Sequence, residues 1–244
     1  MRVFLAGTDL LKNYPDELQK SRFQLASFYN IQEWMMPFLN NCEEWLLDSG
    51  AFSFMNGKQS VDFDCYLERY AEFVKCYNVK HFFELDLDCI IGQEKTYQFT
   101  NRLESITGRQ CIPVWHKSRG IEEWKRLCKE YSYIAIGGIV SKEIMPYQYK
   151  AFNPMLHEAH RNGAKVHGLG FTSTSYFRQI RFDTVDSTTW NVGGKFGNIC
   201  VFDERSLMKQ RIQKKGLRCI DQKRLMLHNW NEWVKFQKYA EKHL

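Results

Sequence analysis

Eight short apolar, β-prone runs recur along the chain, at residues 3–6, 45–47, 81–85, 111–115, 133–136, 166–168, 184–185 and 199–202. Between most of them the apolar residues switch to helical spacing. Residues 62–77 place Phe63, Leu67, Tyr70, Phe73 and Val74 on one side, and 93–106, 121–131 and 146–162 show the same period. Strands alternating with helices imply a parallel sheet, because each parallel neighbour needs a crossover that a helix supplies. Eight such units predict a single α/β domain over residues 1–244, a (β/α)8 barrel of the TIM type, a fold that commonly takes ~250 residues. An open doubly wound sheet is the alternative, since it too gathers polar clusters at its strand ends.

A barrel of this kind collects its active site where strands end and the following loops begin. Directly after candidate strands stand Asp48-Ser49-Gly50, Asp86-Leu87-Asp88, His116-Lys117, Gly137-Gly138, Gly168-Leu169-Gly170 and Asp186-Ser187-Thr188. One such cluster is an ordinary turn; six in register point to a site. Asp48 and Asp186 are each the first polar residue after an apolar run. Two carboxylates across one pocket can divide labour, one ionised and the other shuttling a proton, when their surroundings separate their pKa values, and glycosidic bond cleavage uses this arrangement. Either Asp can equally cap the helix that follows it. Gly137-Gly138 and Gly168-x-Gly170 allow backbone to approach a planar ligand, or simply make tight turns. Phe52, Trp115 and Trp190 sit where aromatic faces could stack on a base, or could be core. His116, His157, His160 and His167 lack the further ligands a metal site needs.

Composition narrows the class. With 44% hydrophobic and 25% charged residues the chain matches ordinary globular proteins, which excludes disordered and fibrous classes. No apolar run approaches the ~18 residues of a membrane span, and the N-terminal stretch acquires charge too soon for a secretory signal, so a cytoplasmic protein with no membrane partner is expected. The eight cysteines, Cys42, Cys65, Cys76, Cys89, Cys111, Cys128, Cys200 and Cys219, form no CxxC or CxCxxC knuckle and read as buried thiols. The net charge of +6 is all C-terminal: residues 203–244 carry eleven Lys/Arg against five Asp/Glu, whereas residues 1–202 carry 23 of each. The densest part holds Arg205, Lys209, Arg211, Lys214, Lys215, Arg218, Lys223 and Arg224, opposed only by Asp221. Such a basic segment, expected to be helical over about 203–244, suits phosphate contacts or is a solvated helix face.

Together these positions resemble the tRNA-guanine transglycosylase superfamily. The likeness is greatest to its shorter phage and genomic-island branch, which inserts 7-deazaguanines into DNA (the DpdA group). It runs from about Leu47 to Gly197. Leu47-Asp48-Ser49-Gly50-Ala51-Phe52 is similar to the segment holding the general acid/base and a base-stacking Phe. Phe83-Glu84-Leu85-Asp86 is similar to the segment with a base-reading Asp. Tyr133-Ile134-Ala135-Ile136-Gly137-Gly138-Ile139-Val140, followed by Lys142-Glu143, is similar to the stretch whose backbone binds the base's carbonyl. Val166-His167-Gly168-Leu169-Gly170 is similar to the next ligand-binding strand end, and Asp183-Thr184-Val185-Asp186, before Gly193-Gly194-Lys195-Phe196-Gly197, falls where the family keeps its nucleophile. The chain also departs from the family. Cys200, Cys219 and His228 cannot reproduce the CxCxxC-plus-His zinc site of members acting on tRNA. Trp115-His116 replaces the usual polar pair at the fourth strand end, and Ser187-Thr188-Thr189-Trp190 replaces a Pro-Thr-Arg sequence.

The resemblance therefore implies a barrel without the zinc subdomain, no metal or other cofactor, and a 7-deazaguanine as substrate. Asp186 is the implied nucleophile and Asp48 the general acid/base. Ser49, Phe52, Asp86, Asp88, Trp115, His116, Gly137, Gly138, Gly168 and Gly170 are the implied base pocket, with Asp86 preferred over Asp88 as the reader of the base's amino edge. Lys195, Arg205, Lys209, Arg211, Lys214, Lys215 and Arg218 are expected to contact nucleic acid. DNA is the expected polymer and tRNA the alternative, with a homodimer or a partner modification protein compatible with either. A non-catalytic nucleic-acid-binding subunit and a small-molecule barrel enzyme are the readings from other classes.

Overall fold

The seven strands of the main sheet are, in chain order, β1 (Arg2–Ala6), β2 (Phe23–Ser27), β3 (Glu44–Asp48), β4 (Val114–Trp115), β5 (Tyr133–Ile136), β6 (Lys165–Gly168) and β7 (Thr184–Ser187). All pair parallel, in the order β3-β2-β1-β7-β6-β5-β4, as a curled half-barrel with helices between successive strands. The structure is a computed structural model that describes residues 1–55, 61–211 and 221–244, with only the backbone of Phe52, Met55 and residues 193–195. Helix Phe63–Cys76 begins where the sequence pattern places it, with the Asp62 carboxylate accepting the Cys65 N–H at 3.0 Å.

Between the edge strands β3 and β4 runs segment 81–84, hydrogen-bonded on both sides. The Leu47 N–H donates to the His81 carbonyl (3.0 Å) and the Phe83 N–H to that of Leu47 (2.9 Å). Across the other side the Ile112 N–H donates to Phe82 (2.7 Å) and the Glu84 N–H to Ile112 (3.0 Å). These contacts are isolated parallel bridges and not a regular strand. The local reason is chemical. A continuing ladder would send the Val114 N–H to the Glu84 carbonyl; it goes instead to the Glu84 side chain, Oε1 at 2.9 Å. The Tyr70 hydroxyl also enters the seam, 3.1 Å from the Leu47 carbonyl and 2.9 Å from that of Phe83.

Two strand assignments need correction. The run at 199–202 is no part of the parallel sheet: β8 (Ile199–Asp203) pairs antiparallel with β9 (Leu207–Arg211) in a separate hairpin. β1 instead pairs directly with β7, and between β1 and β3 the sheet gains β2, which sequence patterning passes over because Gln24 and Ser27 break its apolar run. Gln24 is nonetheless buried, its amide donating to the Leu18 carbonyl at 3.3 Å. The expected helix over 203–244 begins only at Gln222 and runs to His243. The cysteines divide: Cys111, Cys128 and Cys200 are buried as expected, whereas Cys65, Cys76 and Cys89 are exposed, and Cys219 lies outside the described residues. Among the described residues no helix is long and apolar enough to cross a membrane.

The alternation of side chains sorts the sheet into two faces. Phe4 and Ala6 of β1, Phe23 and Leu25 of β2, Leu46 of β3, Phe83, Ile112, Val114 of β4, and Tyr133 and Ala135 of β5 pack together inside the curl. Val3, Leu5, Ile134, Ile136, Val166 and Val185 point the other way, into a core shared with Trp190, Trp230, Trp233 and Phe236. The C-terminal helix is tied to this frame by buried amides. Gln237 donates from Nε2 to the carbonyls of Val3 (2.7 Å) and Phe23 (2.8 Å) and accepts the Arg22 N–H (2.9 Å); Asn229 accepts the Cys200 N–H (2.8 Å) and donates to Asn198 (2.9 Å). Leaving such groups unpaired in a buried site costs about 1–3 kcal/mol. Gln237→Ala is therefore expected to destabilise the fold by about 1–3 kcal/mol, read as a lowered urea midpoint with unchanged m-value, while Lys238→Ala, one position along on the exposed face, should leave the midpoint in place.

Candidate active site

The same alternation carries four ionisable side chains to the inner face above the apolar layer. Asp48 follows Leu46 by two on β3, His116 follows Val114 by two past β4, and His167 and Asp186 face inward beside the outward Val166 and Val185. They meet at the C-terminal ends of the strands, where a cavity of about 660 Å³ opens among the loops. Its wall includes Asp9, Asp48, Asp86 and Asp186, with His116, Gly138, Leu169 and Gly170. The volume lies within the range of small-molecule sites, ~300–1,000 Å³.

Each carboxylate is held differently. Asp186 is buried, and its Oδ1 accepts the Gly170 N–H at 2.5 Å and lies 3.2 Å from His167 Nε2. Gly170 adopts φ +66°, a left-handed conformation that strains any other side chain, and a Cβ there would stand 2.3 Å from Val140 Cγ2, so glycine is favoured where this N–H is offered. Asp48 accepts the Gly50 N–H on Oδ2 at 2.9 Å, so the turn-forming role and the pocket-facing role coexist in one side chain. Burial pushes the Asp48 carboxyl up to about 7; the Gly50 N–H and the Ser27 hydroxyl oppose that shift, and the charges of Asp186 and Asp86 add to it. Asp86 sits against His116, with Nε2 2.8 and 3.0 Å from its two oxygens, while His116 Nδ1 lies 3.1 Å from Glu143 Oε2. Burial alone would lower the His116 pKa, but the two carboxylates outweigh it and raise it to about 9, so the ring is an imidazolium at neutral pH, donating to both.

Several expected pocket residues have other work. Asp88 is bound bidentately by Arg119 (2.6 and 2.8 Å), which also pairs with Glu84 at 2.9 Å in a buried cluster off the cavity wall. This separates it from Asp86, which faces the cavity. Trp115 is core, its Nε1 donating to the Gly120 carbonyl at 2.8 Å and its ring edge-on to Trp124. Trp190 is likewise buried, donating to the Ala6 carbonyl. Ser49 is buried away from the lining. Gly137 is required by packing: a Cβ would come within 2.7 Å of His116 Cε1 and 2.8 Å of Val114 Cγ1. Gly168 is closed in by Phe171 and Phe182. The Phe52 side chain lies outside the described residues. His160 pairs with Asp183 at 2.9 Å, and among the described residues no group of three or more His, Cys, Asp or Glu is arranged to hold a metal ion.

The structure adds residues that sequence reasoning missed. Thr8 and Asp9 follow β1 in a Gly7-Thr8-Asp9 cluster of the same form as the six others, and the strand-end rule applied to residues 3–6 would have found them. The Thr8 hydroxyl is buried at the cavity with no hydrogen-bond partner among the described residues. Ser27 and Asn30 depend on recognising β2, and the contact of Glu143 with His116, as distinct from its place in the resembling stretch, depends on where the loop after β5 returns.

Of the basic residues, Arg205, Lys209 and Arg211 are exposed on the β8–β9 hairpin. Lys214, Lys215 and Arg218, and the Lys195 side chain, lie outside the described residues. The hairpin reaches the site through one loop: Thr172 and Ser173 line the cavity, and the next residue, Thr174, donates from Oγ1 to the Met208 carbonyl at 3.3 Å.

Comparison with known proteins finds no protein-family model and no curated protein that matches this chain.

The raised Asp48 pKa has a consequence that needs no substrate. Unfolded, the carboxyl titrates near 3.9; folded, near 7. The folded state thus holds the proton more tightly, and the stability this group contributes is full below about 4 and lost as pH rises to about 7. Between pH 5 and 8 the urea midpoint of the wild type should fall relative to that of Asp48→Asn. A difference that stays constant with pH would show that Asp48 titrates as an ordinary carboxylate.

Proposed function

We propose that the protein is a transglycosylase, an enzyme that exchanges guanine in DNA for a 7-deazaguanine through a covalent glycosyl-enzyme on Asp186. The observation that carries this reading is the pairing of two unlike carboxylates in one cavity: Asp186, held by an N–H donor on one oxygen, and Asp48, desolvated until it titrates near neutrality. A general acid must hold a proton near the operating pH, which supports Asp48 in that role, and the N–H donor on Asp186 supports it as the nucleophile.

In the proposed first step an Asp186 oxygen attacks the anomeric carbon. The bond from that carbon to the purine nitrogen breaks, and the departing guanine takes its proton from Asp48. In the second step a 7-deazaguanine occupies the vacated pocket and gives the proton on its glycosidic nitrogen to the Asp48 carboxylate. That nitrogen then attacks the anomeric carbon, and the ester bond to Asp186 breaks. One glycosidic bond replaces another, so no external energy is required. Asp86, fixed by the His116 imidazolium, is suited to accept from the base's amino edge, and Thr8 brings to the same cavity a hydroxyl with no partner among the described residues. A base inside a duplex cannot reach such a mouth, so the target nucleotide would be extruded.

The bridges on both edges of segment 81–84 support reading the curled sheet as a complete eight-membered barrel, with this segment as its fourth stave. The exposed Lys209 and Arg211, on a hairpin hydrogen-bonded to a cavity-lining loop, support phosphate contacts beside the mouth.

Incubation with guanine-containing DNA, without a 7-deazaguanine, should give a denaturation-resistant protein–DNA band that is absent from Asp186→Ala. Asp48→Asn should slow exchange by roughly 10²–10⁴-fold. A band formed only with tRNA would move the activity to that polymer, and no band with either would sink the exchange chemistry. Lys209→Ala/Arg211→Ala should weaken DNA binding at all sequences and lower the slope of log K against log salt by up to about 2, measured by fluorescence anisotropy. An unchanged slope would remove the hairpin from the DNA interface.

A further inference from the structure

We propose that His167, held as its Nε2–H tautomer between Asp186 and Thr184, is the positioning residue that fixes which oxygen of Asp186 reacts. This rests on the exchange reading for its chemical meaning, though not for its geometry. His167 is fully buried and lines no part of the cavity wall, so it is not a group that touches substrate. Its ring is hemmed edge-on by Phe4 and Phe83, at centroid distances of 6.3 and 5.3 Å. Polar contacts run through it in a single column: Tyr133 hydroxyl to Thr184 Oγ1 at 2.6 Å, Thr184 Oγ1 to His167 Nδ1 at 2.8 Å, and His167 Nε2 to Asp186 Oδ1 at 3.2 Å.

The protons in this column can be ordered by counting donors and acceptors. An ionised Asp186 only accepts, so His167 Nε2 carries a hydrogen. If Nδ1 carried one too, Thr184 would have to accept it, and the single contact between the Thr184 and Tyr133 hydroxyls could take only one of their two protons. The other would then have no acceptor among the described residues, although both residues are buried. In the opposite order Tyr133 donates to Thr184, Thr184 donates to Nδ1, and Nε2–H donates to Asp186, and every proton has a partner. With the Gly170 N–H also on Oδ1, both donors hold the same oxygen. Oδ2 has no hydrogen bond among the described residues and is the oxygen left to attack.

The test reads the ring directly. Long-range ¹H–¹⁵N correlation spectra of the ¹⁵N-labelled protein at pH 7, assigned by the signals lost in His167→Gln, should show the Nε2–H tautomer. Thr184→Val, which leaves Nδ1 without its donor, should displace the Nδ1 signal and free the ring's orientation, Thr184→Ser should restore the wild-type pattern, and Tyr133→Phe, which spares the donation from Thr184 to His167, should retain it. With DNA and a labelled 7-deazaguanine, Thr184→Val should lower kcat by ~10- to 100-fold with KM little changed, and Thr184→Ser should recover it. An Nδ1–H tautomer or an imidazolium in the wild type would overturn the proposal, as would a Thr184→Val protein with wild-type kcat. Because the spectra need no substrate, failure of the ring assignment is distinguishable from failure of the exchange reading, which would show as no adduct on either polymer.

Discussion

The strict two-residue alternation along parallel strands is the constraint on which this molecule depends. A curled parallel sheet buried on both faces sends every second side chain inward, and the chain uses that rule twice. Lower on the strands the inward positions are Phe4, Phe23, Leu46 and Phe83, which fill the interior. One or two steps further along they become Asp48, His116, His167 and Asp186. The polar set needs no separate scaffold, because it continues the same rows of side chains that build the core. A one-residue slip in register would turn those groups into the helical layer and bury their charges among Trp190, Trp230 and Phe236.

Crowding acidic groups at one mouth is electrostatically expensive, and the structure resolves it by giving each a different environment. Asp86 is paired with an imidazolium that is in turn paired with Glu143. Asp186 is supplied with donors from Gly170 and His167. Asp48 is dominated by its burial, which pushes its carboxyl up to about 7. The difference in surroundings between Asp48 and Asp186 thus follows from their neighbours and not from residue type. The glycines serve the same arrangement: Gly137 clears space for the His116 ring, and Gly170 brings its N–H to the carboxylate.

Segment 81–84 shows side chains competing with backbone. Glu84 lends a carboxylate oxygen to the Val114 N–H where its own carbonyl would be expected, and its other obligations are to Arg119 and to the Thr100 hydroxyl at 2.6 Å. The result is a stretch bonded on both edges yet irregular. It leads straight into Asp86 at the cavity and Asp88 at the buried Arg119, and so divides two aspartates that look equivalent in sequence into one that faces the cavity and one that braces the fold.

Local order determined much of what was legible in the sequence. The alternation of apolar runs with helical periods announced a parallel α/β sheet, and the rule that polar clusters after strands converge located Asp48, Asp86, His116, Gly138, Gly170 and Asp186 at one mouth. Periodicity misjudged membership where hydrogen bonding overrides hydrophobicity: β2 hides behind a buried Gln24, and the apolar run at 199–202 pairs with its neighbour in a hairpin. Only the tertiary structure decided that Trp115 and Ser49 turn away from the cavity, that Asp88 is committed to Arg119, and that His167 stands in a column with Thr184 and Tyr133. Those outcomes depend on which strands are neighbours and on distances between side chains far apart in the chain, and no local pattern of residue types encodes either.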